Sequence, residues 1–284
     1  MDLKARLHNY LTEIARERDP YMATGGHFLV QEYIRQEFAQ WGSVEIHTFQ
    51  VGNASFNNLI LNLPAQNAQT RKRLLSPILI GAHYDAVPGT SGADDNATGV
   101  AVLLELARKF ATKPATYPLR LVAFDMEEYG LLGSADYAAL LRQQQQQLRL
   151  MISLEMLGYR DNSPNSQRYP APLEKFYPNT GDFIALIGNL RTIPDLLSMS
   201  RSIRQTGISS QWLPVPKGGL IVPQTRLSDH APFWDAGYPA IMVTDTAFLR
   251  NPHYHKPSDT IASLDLDFLA GVCAGLEIAI RNLM

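Results

Sequence analysis

The spacing of apolar positions changes along the chain, and each change marks a different kind of element. Leu3, Leu7, Leu11 and Ile14 recur at helical spacing, as do Phe28, Tyr33, Ile34 and Phe38. Residues 1–41 therefore read as two helices broken near "RDPYMATGGH". "SVEIHTFQVGNASFNNLILNLP" then alternates polar and apolar residues around a Gly-Asn turn, which predicts a strand pair. Beyond it the pattern becomes strand, loop, helix, repeated. "LLSPILIGAHYD" is a buried strand, and "NATGVAVLLELARKFA" a helix with Asn96 or Thr98 as its cap. "LRLVAFDMEE" and "GSADYAALLRQ" repeat the unit, and the glutamine run "RQQQQQLR" finishes that helix before the strand "LRLMISLEMLG". "GDFIALIGN" and "YPAIMVTDT" are further strands. Strands alternating with helices predict an α/β fold with a mainly parallel central sheet and helices on both faces.

Residues 160–225 depart from this rhythm. They carry Pro164, Pro170, Pro172, Pro178, Pro194, Pro214, Pro216 and Pro223 with several aromatics and one clear strand. The segment is expected to be loop-rich, lying over one end of the sheet. Residues 1–284 are expected to form a single domain, with no internal repeat.

Composition narrows the classes. Hydrophobic residues make up 45% of the chain and charged residues 18%, enough to build a core without a signature of disorder. Basic and acidic residues number 25 and 27, so no electrostatic footprint for nucleic acid or an anionic membrane is present. No stretch reaches the roughly 20 apolar residues of a membrane span. The one cysteine, Cys273, lies in an apolar helical pattern and is expected to be a buried, inert thiol. With the initiating methionine it favours a cytoplasmic setting.

The chemistry gathers where strands end. His83 and Asp85 follow one strand, Asp125, Glu127 and Glu128 the next, and Glu155 a third. Asp245 follows a fourth, with His253 and His255 soon after. In an open parallel sheet, ligands bind beyond the carboxyl ends of the strands, so one edge collects every cluster. Taken singly, an Asp is an ordinary turn residue and a Glu pair an ordinary surface. Together they imply a shared metal centre of imidazoles and carboxylates without thiolate, which suits zinc or a similar divalent cation. Two histidines with three carboxylates exceed the needs of one zinc and suit two cations bridged by a carboxylate, with a further carboxylate free to act as base. "GADDNATG" in turn lacks the lysine of a phosphate-binding loop.

"HYD", "GADDNATG", "FDMEEYGLLGS", "LEMLGY", "SDHAPF" and "HKPSDT" occur here in the order in which similar motifs occur in the di-zinc aminopeptidases, a family that also contains glutamate carboxypeptidase II and glutaminyl cyclase relatives. The resemblance runs from about residue 75 to 262 and thins between 160 and 225. It implies the phosphorylase/hydrolase-like architecture of zinc-dependent exopeptidases and two divalent metal ions, most simply zinc. By position, His83 and Glu155 would hold the first ion, His255 and Glu128 the second, and Asp95 would bridge them. Asp85 would orient His83, Asp94 would lie outside the ligand shell, and Glu127 would be the general base. Glu155 stands where many members have aspartate. Tyr254 matches a position that stabilises an oxyanion in some members, and packing is the alternative. His253 reads as a loop residue, and Ser228, Asp229 and His230 as shaping the substrate side and not as a relay triad.

The resemblance thus implies hydrolysis of the N-terminal bond of a peptide with a free amine. The prolines and aromatics of 160–225, including Phe176, Tyr177 and Trp212, are then expected to wall the side-chain pocket and to favour an apolar first residue. Two other readings stay open: single-zinc cyclisation of N-terminal glutamine, and a binding relative without catalysis.

Overall fold

The computed structural model describes residues 1–66 and 75–283. Leu74, the first residue of the expected strand "LLSPILIGAHYD", lies outside them. Two N-terminal helices, α1 (Leu3–Ile14) and α2 (Thr24–Ala39), precede the hairpin β1 (Val44–Val51) and β2 (Ala54–Leu63). Asp2 caps α1 by accepting the Ala5 amide at 2.8 Å. Gly52 turns the hairpin with φ of +60°, a conformation glycine adopts without steric cost. The alternation then runs β3 (Ile78–His83), α3 (Gly99–Thr112), β4 (Leu119–Phe124), α4 (Leu132–Gln143) and β5 (Leu150–Glu155). β6 (Phe183–Asn189), α5 (Ile193–Arg204), β7 (Ser209–Val215), α6 (His230–Asp235), β8 (Ala240–Thr244) and α7 (Leu266–Asn282) complete it.

The strands form one sheet in the order β1-β2-β4-β3-β5-β8-β6-β7. The pairs β4–β3, β3–β5, β5–β8 and β6–β7 are parallel, and β1–β2, β2–β4 and β6–β8 antiparallel. Period-two alternation sends Ile78, Ile80, Ile152, Leu154, Ile241 and Val243 to one face, where α1, α2, α3, α5 and α7 cover them. Leu79, Phe124, Met151 and Ala240 face the other way, against Tyr137 and Leu141 of α4 and Phe233 and Trp234 of α6. Gly81 lies on this second face, where an added Cβ would meet the Phe124 ring at 2.3 Å. Cys273 is buried within α7, as its apolar surroundings predict. Among the described residues no helix is long and apolar enough to cross a membrane.

Residues 160–225 hold more structure than their prolines suggest, because β6, α5 and β7 extend the sheet to its edge. Pro194 sits in the first turn of α5, where its missing N–H costs nothing. Pro214 lies in β7, which among the described residues pairs only with β6, and an edge strand tolerates proline. The helix expected from Asn96 begins at Gly99, after a widened turn over Ala93–Thr98. Thr98 does not cap it through its side chain, whereas the Asn96 side-chain oxygen accepts the Gly99 amide at 3.1 Å.

Candidate metal centre

The widened turn and the loops after β3, β4, β5 and β8 meet above the carboxyl ends of the strands. His83 and Glu155 are the last residues of β3 and β5, and both project on the α4/α6 side of the sheet. Asp85, two residues past His83, accepts the consecutive amides of Glu127 and Glu128, each at 3.1 Å. Asp259 repeats that arrangement, accepting the amides of Asp94 and Asp95 at 2.9 and 3.1 Å. Beneath the same turn lies Arg18, fully buried, donating to the carbonyls of Tyr84 and Gly92 at 2.8 Å and of Asp95 at 3.3 Å. Met126, Met156 and His255 all adopt left-handed backbone, with φ of 59°, 49° and 56°. Non-glycine residues pay for that conformation, and it clusters at sites that aim side chains.

Two groups of donors share one residue. His83 Nε2 stands 3.4 Å from Asp95 Oδ1 and 3.6 Å from Glu155 Oε1. On the other side, His255 Nε2 stands 3.1 Å from Asp95 Oδ2 and 3.4 Å from Glu128 Oε2. Each group (His83, Asp95, Glu155 and Asp95, Glu128, His255) has its donor atoms within 4.8 Å of one another. Glu127 also approaches His83, with Oε2 at 3.9 Å from Nε2.

Three of these separations, 3.4, 3.6 and 3.4 Å, are longer than direct hydrogen bonds and suit cations better, while His255 and Asp95 at 3.1 Å are within hydrogen-bond reach. Donors about 2.0–2.1 Å from a tetrahedral zinc stand roughly 3.3–3.4 Å apart, whereas a hydrogen bond prefers about 2.7–3.2 Å. Both ring nitrogens of His83 and one oxygen of Glu128 are buried without a hydrogen-bond partner among the described residues. Buried polar atoms in native proteins are rarely orphaned, so the donor set fits resident divalent cations.

Without a cation, protons carry the compensation. Burial opposes charge on His83, but the carboxylates of Glu127 and Glu155 prevail and hold its pKa well above the usual value. His255 follows the same logic: burial is overcome by Asp95 and Glu128, raising it to about 10. Burial, then the charge of Asp95, pushes Glu128 up to about 7. Glu127 and Glu155 are raised, chiefly by burial. Asp95 goes the other way, because His255 and His83 outweigh its burial.

The remaining acids and histidines of the motifs are placed elsewhere. Asp94 accepts from the Gly158 amide at 2.9 Å and Asn251 Nδ2 at 2.7 Å. Asp125 faces His27 and Tyr84. Asp245 holds the amides of Tyr159 and Ala247, and His253 contacts Ser258. Ser228 donates to Glu155 Oε2 at 2.8 Å, while His230 Nε2 meets the Thr225 carbonyl at 2.8 Å, so these neighbours form no relay. Tyr254 stacks on the His255 imidazole with ring centroids 3.7 Å apart. Three positions in this setting escaped sequence reasoning. Arg18 and His27 carry no motif, and Asp259, inside "HKPSDT", went without an assigned role.

A cleft opens from the donors over the end of the α4/α6 face. Strand register lays its floor in rows. Glu155, Thr244, Ala185 and Gln211 are cross-strand neighbours, and so are Met242, Ile187 and Leu213. At about 4.8 Å per strand the first row runs roughly 14 Å from Glu155 to the sheet edge. Tyr169, Tyr177 and Phe248 wall it. Trp212, between Gln211 and Leu213 of the floor, turns its ring to the opposite face of the sheet, and Phe176 is exposed outside the cleft, both contrary to expectation.

An open α/β sheet with imidazoles and carboxylates gathered at its strand ends, beside an apolar cleft, defines a protein built to hold divalent cations against a bound molecule. Residues 58–275 match the profile of Peptidase family M28, and the chain belongs to that family. The uncharacterized protein YfbL of Escherichia coli (strain K12) is 36% identical over 268 residues, covering 88% of this chain and 79% of YfbL. The structure of BSAP, a zinc aminopeptidase from Bacillus subtilis, is 26% identical with a TM-score of 0.57, covering 81% of this chain. The match takes in 52% of BSAP, so this chain corresponds to about half of that molecule. A glutaminyl cyclase from Tannerella forsythia shares the fold at a TM-score of 0.70 and 18% identity, covering 99% of both chains.

Proposed function

We propose that the chain is a metal-dependent aminopeptidase that hydrolyses the first bond of a peptide with a free N-terminus. The observation that carries this reading is Asp95, whose two carboxylate oxygens face His83 on one side and His255 on the other. His83, Asp95 and Glu155 would hold one zinc, and Asp95, Glu128 and His255 a second. When bound, the ions supply Lewis acidity toward a carbonyl oxygen and a lowered pKa for water. The acidic surroundings favour a substrate amine over a carboxylate, which is the basis for preferring an aminopeptidase to a carboxypeptidase.

Glu127 belongs to neither of these two groups, although its carboxylate also gathers with His83 and Glu128, and its side chain is 11% exposed. There it takes the proton of the attacking water and returns it to the leaving amine. The Tyr254 hydroxyl, kept protonated because burial raises its pKa, is a donor for the developing oxyanion. Asp85 holds the Glu127 and Glu128 amides and, with Oδ1 3.4 Å from His83 Nδ1, would orient the ring once the site is filled. The cleft takes the first side chain, which its aromatic and aliphatic lining makes apolar.

The test is metal content per chain together with hydrolysis of aminoacyl-p-nitroanilides by wild type and Glu127→Gln. Two ions per chain, and activity lost by at least about a hundredfold in the variant, are expected for a general base. One ion with cyclisation of N-terminal glutamine peptides in place of hydrolysis would replace this reading with cyclase chemistry. No ion and no turnover would leave a binding relative.

A further inference from the structure

The residue that matters here lies outside the family-matched span of 58–275, on α2. His27 Nε2 is 2.7 Å from Asp125 Oδ1, and both side chains are buried. That carboxylate is saturated. Oδ1 also accepts the Met126 amide at 2.9 Å, and Oδ2 accepts the Tyr84 hydroxyl at 2.7 Å and the Asn57 amide at 3.4 Å. The Asp125 amide is itself held by Asn58 Oδ1 at 2.9 Å. Since an ionised carboxylate only accepts, Nε2 of His27 is the donor.

The position of His27 is well determined. Its ring stacks on Tyr84, with centroids 5.1 Å apart at 25°. The preceding Gly26 has no room for a side chain, because a Cβ there would lie 1.9 Å from the Glu17 carbonyl oxygen. The start of α2 is therefore seated directly on the turn that also carries Arg18.

We propose that His27 is a positioning residue for the reaction, holding through Asp125 the left-handed Met126 turn that presents Glu127 and Glu128. The mechanism is mechanical. With His27 in place, Oδ1 is anchored by a donor from outside the loop and can in turn anchor the Met126 amide. Without it, the one other donor to Oδ1 among the described residues belongs to the loop itself, while both donors to Oδ2 come from β2 and the β3 loop. The carboxylate then swings toward Oδ2, and the turn ahead of Glu127 loses its outer support. Asp85 still holds the Glu127 and Glu128 amides from the other side, so the loop loosens without collapsing.

The kinetic arm of the test rests on the hydrolase reading above, and the exchange arm does not. His27→Leu removes the donor. His27→Gln places an amide nitrogen near the former Nε2, and His27→Asn places one near Nδ1, where it does not reach. In the metal-loaded full chain, His27→Leu is expected to lower kcat by about 10- to 100-fold, the range for supports lying just outside a metal site, with KM changed less than about threefold. His27→Gln is expected to recover most of kcat, and His27→Asn to resemble His27→Leu. Amides of Met126, Glu127 and Glu128 are expected to exchange at least about tenfold faster in His27→Leu than in wild type, with His27→Gln restoring them. Unchanged exchange at these amides overturns the proposal, whatever the activity. So does a glutamine variant no better than leucine, or a loss of kcat that only tracks lost metal or unfolded protein. If wild type hydrolyses no aminoacyl substrate, the functional reading falls and the exchange comparison still decides the role of His27.

Discussion

Replacing Asp85 by asparagine keeps the shape of the side chain and removes half of its accepting capacity. In the native protein its two oxygens each accept one backbone amide, from Glu127 and Glu128, at 3.1 Å, and Oδ1 lies 3.4 Å from His83 Nδ1. Asparagine offers one oxygen and one NH₂ group, so one backbone N–H loses its acceptor and faces another donor. A hydrogen bond to a charged group contributes about 1.5–3 kcal/mol. At about 1.4 kcal/mol per factor of ten, one such bond is worth roughly 10- to 100-fold in any property that depends on the loop geometry. The loss of negative charge beside His83 acts in the same direction, because it weakens the imidazole as a ligand. Zinc affinity, measured by competition with a chromophoric chelator, and kcat/KM are both expected to fall within that range. An asparagine variant that binds zinc within about threefold of wild type would refute the view that Asp85 braces the ligand loop.

Three further outcomes follow from the same geometry. Glu105 of α3 is buried and bridges Arg6 of α1 and Arg108, at 2.8 and 2.7 Å; burial raises its pKa, but the arginines prevail and lower it. A depressed folded pKa gives stability that is present above the unfolded value of about 4.3 and lost as pH falls through the lower folded value. The midpoint of Glu105→Gln should therefore lie below wild type at pH 7, and the gap should close in strong acid; a gap independent of pH counts against the ion pairs. Removing metal with a chelator should lower the thermal midpoint, since a ligand at a hundred times its Kd contributes about 2.7 kcal/mol, or several degrees in a chain of this size. Identical midpoints with and without chelator would mean that the folded protein holds no ion. Ala185→Phe fills the cleft floor between Thr244 and Gln211 and should cut hydrolysis of leucyl and phenylalanyl substrates at least about tenfold more than alanyl ones, in a comparison of kcat/KM. Equal losses across the series would place the first side chain elsewhere.

The sheet and its ligand-bearing ends were legible because they depend on local pattern. An apolar run such as "ILIGAH" must be a buried strand, and whatever polar residues follow it emerge at the same edge. β7 was harder to read because it is an edge strand interrupted by Pro214, and α5 because Pro194 sits in its first turn. Both prolines look like loop residues until the neighbouring strand is known. Arg18 and His27 were invisible for another reason. Each acts across the fold, Arg18 on carbonyls more than sixty residues away and His27 on a carboxylate 98 residues on, and nothing in their immediate sequence records those partners.

The acids of the site divide by what their oxygens receive. Asp85 and Asp259 each accept a pair of consecutive backbone amides, Glu127 with Glu128 and Asp94 with Asp95. Such a carboxylate has its inward lone pairs occupied and serves as a brace. Asp95, Glu128 and Glu155 turn oxygens toward imidazole nitrogens at separations a cation would span. The two kinds depend on each other. Under the proposed metal reading the facing carboxylates repel and must be held together, and the braces would do this through the backbone, without placing an oxygen among the ligands. Asp125 extends the device outward, because it anchors the turn before Glu127 and is itself anchored from α2. A crowd of aspartates and glutamates thus becomes ordered because some of its carboxylates hold backbone amides while others face the imidazoles, where the proposed cations would sit.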